Sequence, residues 1–102
     1  MGYYGLRMLD NETKRKVTTR LRRVEGQVAG IGRMVDAEQY CVDILHQISA
    51  ARAALAQIGA IVLARHVETC VAEALTSGTP RARRTKLAEL RAIFARFGPG
   101  ES

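Results

Sequence analysis

Residues 40–70, YCVDILHQISAARAALAQIGAIVLARHVETC, decide the fold. They hold both cysteines of the chain, Cys41 and Cys70, and both of its histidines, His46 and His66. From Cys41 to Leu75 there is no proline and a single glycine, Gly59, while Val42, Leu45, Ile48, Leu55, Ile58 and Val62 recur at steps of three, four or seven. That spacing predicts one long amphipathic helix. His66 and Cys70, four residues apart, stand one above the other on it, as two ligands of a single ion must. Cys41 is the outlier. It precedes His66 by 25 residues, about 37 Å along an unbroken helix, whereas a metal–ligand bond is about 2.0–2.3 Å. Either the helix folds back near Gly59, or two copies pair antiparallel so that Cys41 of one meets His66 and Cys70 of the other. The second arrangement is the expected one. Its dyad falls near Ala53 and Ala54, inside the small-residue run Ala50, Ala51, Ala53, Ala54, Ala56 that lets two backbones approach, and symmetry then gives two sites per dimer.

At 102 residues the chain is one small domain, short for burying a core unaided, so self-association is expected. Sixteen Lys and Arg against ten Asp and Glu give a net charge of +6 and a pI near 10.0, a balance that favours a polyanionic partner. With no apolar leader and no run approaching 18 apolar residues, the two cysteines point to a soluble, cytoplasmic protein without a membrane partner. Thiols there serve metals or redox chemistry rather than structural disulfides. Met1 to Arg7, with Tyr3 and Tyr4, fits neither a signal peptide nor a helix start. Residues 1–9 therefore read as a flexible tail, 10–97 as a single helical domain and 98–102 as a C-terminal tail.

Asp10 and Asn11 offer N-cap oxygens, and Glu12 puts negative charge in the first turn, where the helix dipole favours it. Val17, Leu21, Val24, Val28, Ile31 and Val35 then follow at alternating steps of four and three, the seam of a bundle or short coiled coil. Lys14, Arg15, Lys16, Arg20, Arg22 and Arg23 supply six of the sixteen basic residues within ten positions, mostly facing away from that seam. Such a block is either a solvated face or a phosphate-binding one. Asp36 to Tyr40 make a polar turn short enough for an antiparallel helical hairpin whose two seams face each other. Thr76 to Pro80 end the second helix. Beyond them lies a second basic cluster, Arg81, Arg83, Arg84 and Lys86. A short third helix follows, with Leu87, Leu90, Phe94 and Phe97 at helical spacing, stopped by Gly98, Pro99 and Gly100. The predicted fold is all-α, with three helices per chain.

A histidine and a cysteine on an apolar helix can equally be core residues, because a free cysteine packs as a small hydrophobe. Cys41 shifts the balance, since the antiparallel pairing brings all three groups to one place. Two thiolates and one imidazole with no fourth ligand favour a soft three-coordinate ion, Cu(I), over Zn(II), which takes four. His46 lies about 140° round the helix from Cys41 and reads as a surface residue. Nucleophilic catalysis needs a base beside the thiol and an oxyanion pocket. The chain offers neither a glycine-rich strand-to-helix turn nor an orienting carboxylate, so it reads as a non-enzyme.

The runs Arg20-Leu21-Arg22-Arg23-Val24-Glu25-Gly26-Gln27, Gly30-Ile31, Met34-Val35, Tyr40 to Ala50 and His66-Val67-Glu68-Thr69-Cys70 resemble the copper-sensing repressor family of the CsoR/RcnR type. The resemblance covers roughly residues 12–97. It implies an all-helical homotetramer, a dimer of antiparallel dimers without a helix-turn-helix, that binds operator double-stranded DNA when metal-free and releases it on binding its inducer. Nickel and cobalt sensors of this type add an amino-terminal histidine, and there is none before His46; formaldehyde sensors carry Glu where this chain has Cys70, and persulfide sensors carry Cys where it has His66. The set Cys41, His66, Cys70 is similar to the copper(I) branch. In that branch a Tyr beside the first Cys and a Glu of the third helix support the ligands, positions matched here by Tyr40 and, after a short insertion around Pro80 to Arg84, by Glu89. Of the basic residues tied to DNA, Arg20 matches directly, with Lys14, Arg15, Arg22 and Arg23 around it. The second-helix arginine does not match: Gln57 stands there, and Arg52 lies a turn and a little earlier. A thiol-based repressor of the same fold, answering persulfide or oxidants through Cys41 and Cys70, is the alternative function. A helical scaffold that binds neither Cu(I) nor DNA is a third reading.

Overall fold

Capping sets the helix boundaries in the structure, a computed structural model that describes residues 9–97. Of the tails expected at 1–9 and 98–102, residues 1–8 and 98–102 lie outside the described residues. Asp10, in extended conformation, accepts the Thr13 N–H at 2.8 Å and starts α1 (Asn11–Asp36). Side-chain and backbone hydrogen bonds from Thr13, aided by the Arg65 guanidinium, hold the Asp10 carboxyl below its ordinary value. The contribution is therefore complete above the unfolded-state value and lost as pH falls through the lower folded one.

At the other end of α1 the N–H of Glu38 bonds to Val35 O at 3.0 Å and that of Gln39 to Met34 O at 3.0 Å. This is a Schellman closure that needs a left-handed residue, and Glu38 supplies it at φ 55°. The left-handed penalty for an L-residue, about 1–2 kcal/mol, outweighs the extra unfolded-state freedom of glycine, about 0.5–1 kcal/mol. Glu38→Gly is therefore expected to stabilise the chain by roughly 0.5–1 kcal/mol, read as a higher urea midpoint at unchanged m-value. A lower midpoint would mean that the Glu38 side chain makes a contact that outweighs the strain.

Helix α2 (Cys41–Ser77) runs 37 residues without interruption and is capped by Gly78. The longest dimension of the molecule, 57 Å, matches the roughly 55 Å of an unbroken helix of that length. Gly59 does not fold the chain back. The third helix is longer than the sequence suggested: α3 (Pro80–Phe97) starts at the breaker itself. Thr79 Oγ1 accepts the Ala82 N–H at 3.1 Å, and Pro80 occupies the first helical position, where a missing N–H costs nothing. The second basic cluster thus forms the opening turns of α3. Apolar periodicity could not show this, because those turns carry almost no apolar residues.

Helices α1 and α2 make the expected hairpin around Val17, Val24 and Ile58, with Ala54 and Ile61 packed against them. The α1 seam, however, does not face α2 as a whole. Val17 and Val24 are buried, whereas Leu21, Val28 and Val35 are exposed, the last two at 55 %. Alternate seam positions therefore form two stripes a heptad in period, one used within the chain and one left open. On α2 the open stripe comprises Leu45, Ile48, Leu55 and Val62, with Leu45 60 % exposed. Helix α3 runs back along α2, fixed by a Lys86 Nζ–Glu73 Oε1 ion pair at 3.2 Å and by Phe97 lying against Gly59. The Glu73 carboxylate raises the Lys86 value, so this link holds at neutral pH and weakens as pH climbs through it. A radius of gyration of 17.9 Å, against about 13 Å for a compact domain of this size, agrees with a protomer whose second apolar face is unfilled. By length and composition alone Cys41–Glu73 is also apolar enough to cross a membrane. Its alanines lift the mean hydropathy, and one of its faces is packed on α1.

Candidate metal centre and nucleic-acid interface

Because α2 is straight, it holds the three candidate ligands at its two ends. His66 and Cys70 share one face near the α3 side, and Cys70 is only 5 % exposed. Cys41 is the first residue of the helix and is exposed. Among the described residues of one chain, no three His, Cys, Asp or Glu side chains gather closely enough to hold a metal ion. The fold-back alternative is thereby removed, and a complete Cys41, His66, Cys70 set requires a second copy.

The surroundings of His66 fit that requirement. Its Nε2 is buried without a hydrogen-bond partner, a condition that costs about 1–3 kcal/mol unless something arrives to satisfy it. Thr69, buried beside it, turns its hydroxyl back onto the His66 carbonyl at 2.9 Å, so that hydroxyl does not serve the ring. An apolar groove of about 490 Å³ opens next to the imidazole, walled by Gly59, Val62, Leu63, Ile93, Phe97 and Leu9. Two thiols, an orphaned imidazole nitrogen and a groove with almost no competing oxygen donors suit a soft ion of low coordination number, Cu(I), better than a hard one. The sequence did not single out Leu9, Ile93 or Phe97 as neighbours of His66. Leu9 was assigned to a tail, and no local pattern tells which part of α2 the third helix will cover.

Tyr40 and Glu89 are not near each other in one chain. Tyr40 precedes α2 and is 69 % exposed, while Glu89 is exposed on α3, which packs on the opposite half of α2. Only a second copy can bring Tyr40 to His66.

The basic block of α1 is solvent-facing, as its spacing suggested. Lys14, Arg15, Arg22 and Arg23 are exposed and Arg20 is half-buried. Arg15, Lys16, Arg20 and Arg23 line one shallow hollow with Thr19 and Glu12, and Lys14, Arg15 and Arg22 line a second with Asn11, Thr18 and Thr19. Both hollows combine cations with hydroxyl or amide donors, the usual makings of phosphate contacts. Arg52 is exposed on α2 and lines neither. One contact here had no sequence signal: Arg20 Nη1 donates to Gln57 Oε1 at 3.2 Å across 37 residues of chain.

With this geometry in view, the similarities to known proteins are direct. Residues 13–96 match the metal-sensitive transcriptional repressor family. The chain is 46 % identical over 86 residues to the copper-sensing transcriptional repressor RicR of Mycobacterium tuberculosis, covering 84 % of this chain and 88 % of that protein. It is 42 % identical over 87 residues to the copper-sensing transcriptional repressor CsoR of Bacillus subtilis, covering 85 % and 83 %. In three dimensions it is similar to the Cu(I)-containing crystal structure of CsoR from Geobacillus thermodenitrificans, with a TM-score of 0.72, 41 % identity and coverage of 86 % and 88 %. It is also similar to the nickel-responsive transcriptional regulator InrS, with a TM-score of 0.67, 28 % identity and coverage of 92 % and 99 %.

Proposed function

The chain belongs to the metal-sensitive transcriptional repressors, and from that membership we propose that it is a copper(I)-responsive repressor. It holds operator DNA when metal-free and lets go when Cu(I) joins Cys41 of one protomer to His66 and Cys70 of its partner. The observation that carries this reading is the unbroken α2, which separates Cys41 from an orphaned His66 and a buried Cys70. Homology to copper sensors names the ion, and the two-sulfur, one-nitrogen donor set agrees with it. The likeness to a nickel-responsive regulator is weaker in identity, and the chain has no histidine before His46.

Within this reading the residues divide the work. Cys41, His66 and Cys70 hold the ion. To Tyr40 of the partner and Glu89 of α3 this reading assigns the hydrogen bond to the ring nitrogen of His66 that the ion leaves free, which fixes its tautomer. Lys14, Arg15, Arg20, Arg22 and Arg23 on α1, with Arg52 on α2, meet phosphates. Antiparallel dimers associate into a homotetramer in the cytoplasm, and metal and DNA favour different shapes of it, so each lowers the affinity of the other by the same factor.

The test is a competition titration of reduced protein with Cu(I) against a strong chelator, with and without an operator duplex selected by the metal-free protein from random-sequence DNA. One Cu(I) per chain should lower operator affinity, and operator should lower Cu(I) affinity equally. Release of DNA by Ni(II) as effectively as by Cu(I) would overturn the copper assignment, and release by persulfide that survives His66→Ala would favour a thiol sensor. In the same assay Arg20→Ala is expected to weaken operator binding and flatten its salt dependence by about 0.9 per lost phosphate contact, leaving Cu(I) affinity unchanged. An unaltered slope would reduce the basic block to a solvated face.

A further inference from the structure

Arg20 differs from the other basic residues of α1 in being half-buried and tethered. It sits between Val17 and Val24, and Gln57 adjoins Ile58; these three apolar residues form the buried cluster that welds α1 to α2. The Arg20–Gln57 hydrogen bond, itself at the surface, thus lies beside the packed contact between the two helices. Its polarity is fixed by chemistry: a guanidinium only donates, so the amide must turn its oxygen to it. The bond uses one of five guanidinium N–H groups and leaves the rest of the fork open toward the hollow shared with Arg15, Lys16 and Arg23. A neutral acceptor orients the cation without cancelling its charge.

We infer that Gln57 is the positioning residue that holds Arg20 in its phosphate-binding conformer and ties the DNA face of α1 to the helix that carries His66 and Cys70. Gln57 precedes His66 by nine residues on the same unbroken helix, about 13 Å of rise. A shift or rotation of α2 against α1 when the metal site fills therefore moves the Arg20 anchor directly. An arginine held in advance also loses less rotamer freedom when DNA arrives, a saving of about 0.5–1.5 kcal/mol per immobilised side chain, or roughly two- to twelvefold in affinity for each. The inference rests on the reading of α1 as the DNA face.

The measurement is binding of the full chain to a short mixed-sequence DNA duplex as a function of salt, for wild type, Arg20→Ala, Gln57→Ala and Gln57→Glu, beside Cu(I) affinity without DNA. Gln57→Ala should weaken binding roughly three- to tenfold while keeping the wild-type salt slope, because the charge remains and only its placement is lost. Gln57→Glu should flatten the slope as Arg20→Ala does, because a carboxylate at this distance neutralises the guanidinium. In an Arg20→Ala/Gln57→Ala double variant the Gln57 change should add nothing to Arg20→Ala. Cu(I) affinity should be the same in all. A wild-type slope in Gln57→Glu alongside a flattened one in Arg20→Ala, or wild-type DNA affinity in Gln57→Ala, overturns the inference and leaves the DNA face standing. A wild-type slope in Arg20→Ala overturns both.

Discussion

Cys41→Ala chains are expected to stay on operator DNA at Cu(I) concentrations that strip the wild type. The coupling between the two ligands, typically about 5- to 150-fold, should fall to about one, because one of two sulfur ligands is gone and the remaining His66 and Cys70 cannot complete a three-coordinate site. The same loss is expected of His66→Ala/Cys70→Ala. The informative experiment mixes the two defective proteins. If Cys41 serves the partner's site, a mixed dimer has one intact site, formed by Cys41 of one chain with His66 and Cys70 of the other, and one site with no ligands at all. Half a Cu(I) per chain should then bind at wild-type affinity in the mixed dimer and none tightly in either parent. A Cys41→Ala protein that keeps tight Cu(I) binding would remove Cys41 from the site, and a mixture without recovery would remove it from the partner's site.

That experiment bears on the step the sequence could frame but not decide. Residue spacing put His66 and Cys70 on one face and Cys41 out of reach, and the only open question was whether Gly59 breaks α2; one glycine costs a helix about 1 kcal/mol, too little to foretell a bend when both halves are apolar and packed. The straight α2 answers it. The α1 seam was legible as a period but not as a partition. A stripe at alternating steps of four and three looks the same whether one neighbour covers it or two, and only the exposure of Leu21, Val28 and Val35 beside buried Val17 and Val24 separates the cases. The start of α3 was lost because arginines carry no apolar period, although Thr79-Pro80 held the cap signal. The Arg20–Gln57 bond could not be read at all, since the register of two helices is fixed by packing between residues far apart in the chain.

Leu45→Glu is expected to break the assembly and with it both binding activities. Leu45 is 60 % exposed in the single chain, so a glutamate there disturbs little of the protomer's own core. In an antiparallel pairing about Ala53 and Ala54, Cys41 lies opposite His66, Leu45 opposite Val62 and Ile48 opposite Gly59, so residue 45 enters the groove that Val62, Leu63 and Phe97 wall beside the imidazole. Losing the leucine there forfeits about 1.5–3 kcal/mol. An unpaired buried carboxylate adds several more, and symmetry imposes both costs twice per dimer. Sedimentation should show monomer at concentrations where the wild type is assembled, and tight Cu(I) and operator binding should both disappear. Leu45→Ala, carrying only the packing loss, should instead give a dimer whose unfolding temperature rises with protein concentration more steeply than that of wild type, as linkage of folding to association requires. A Leu45→Glu protein that stays assembled and copper-responsive would show that this face of α2 is open in the working repressor. Cys41 would then reach His66 and Cys70 by a pairing other than the antiparallel one.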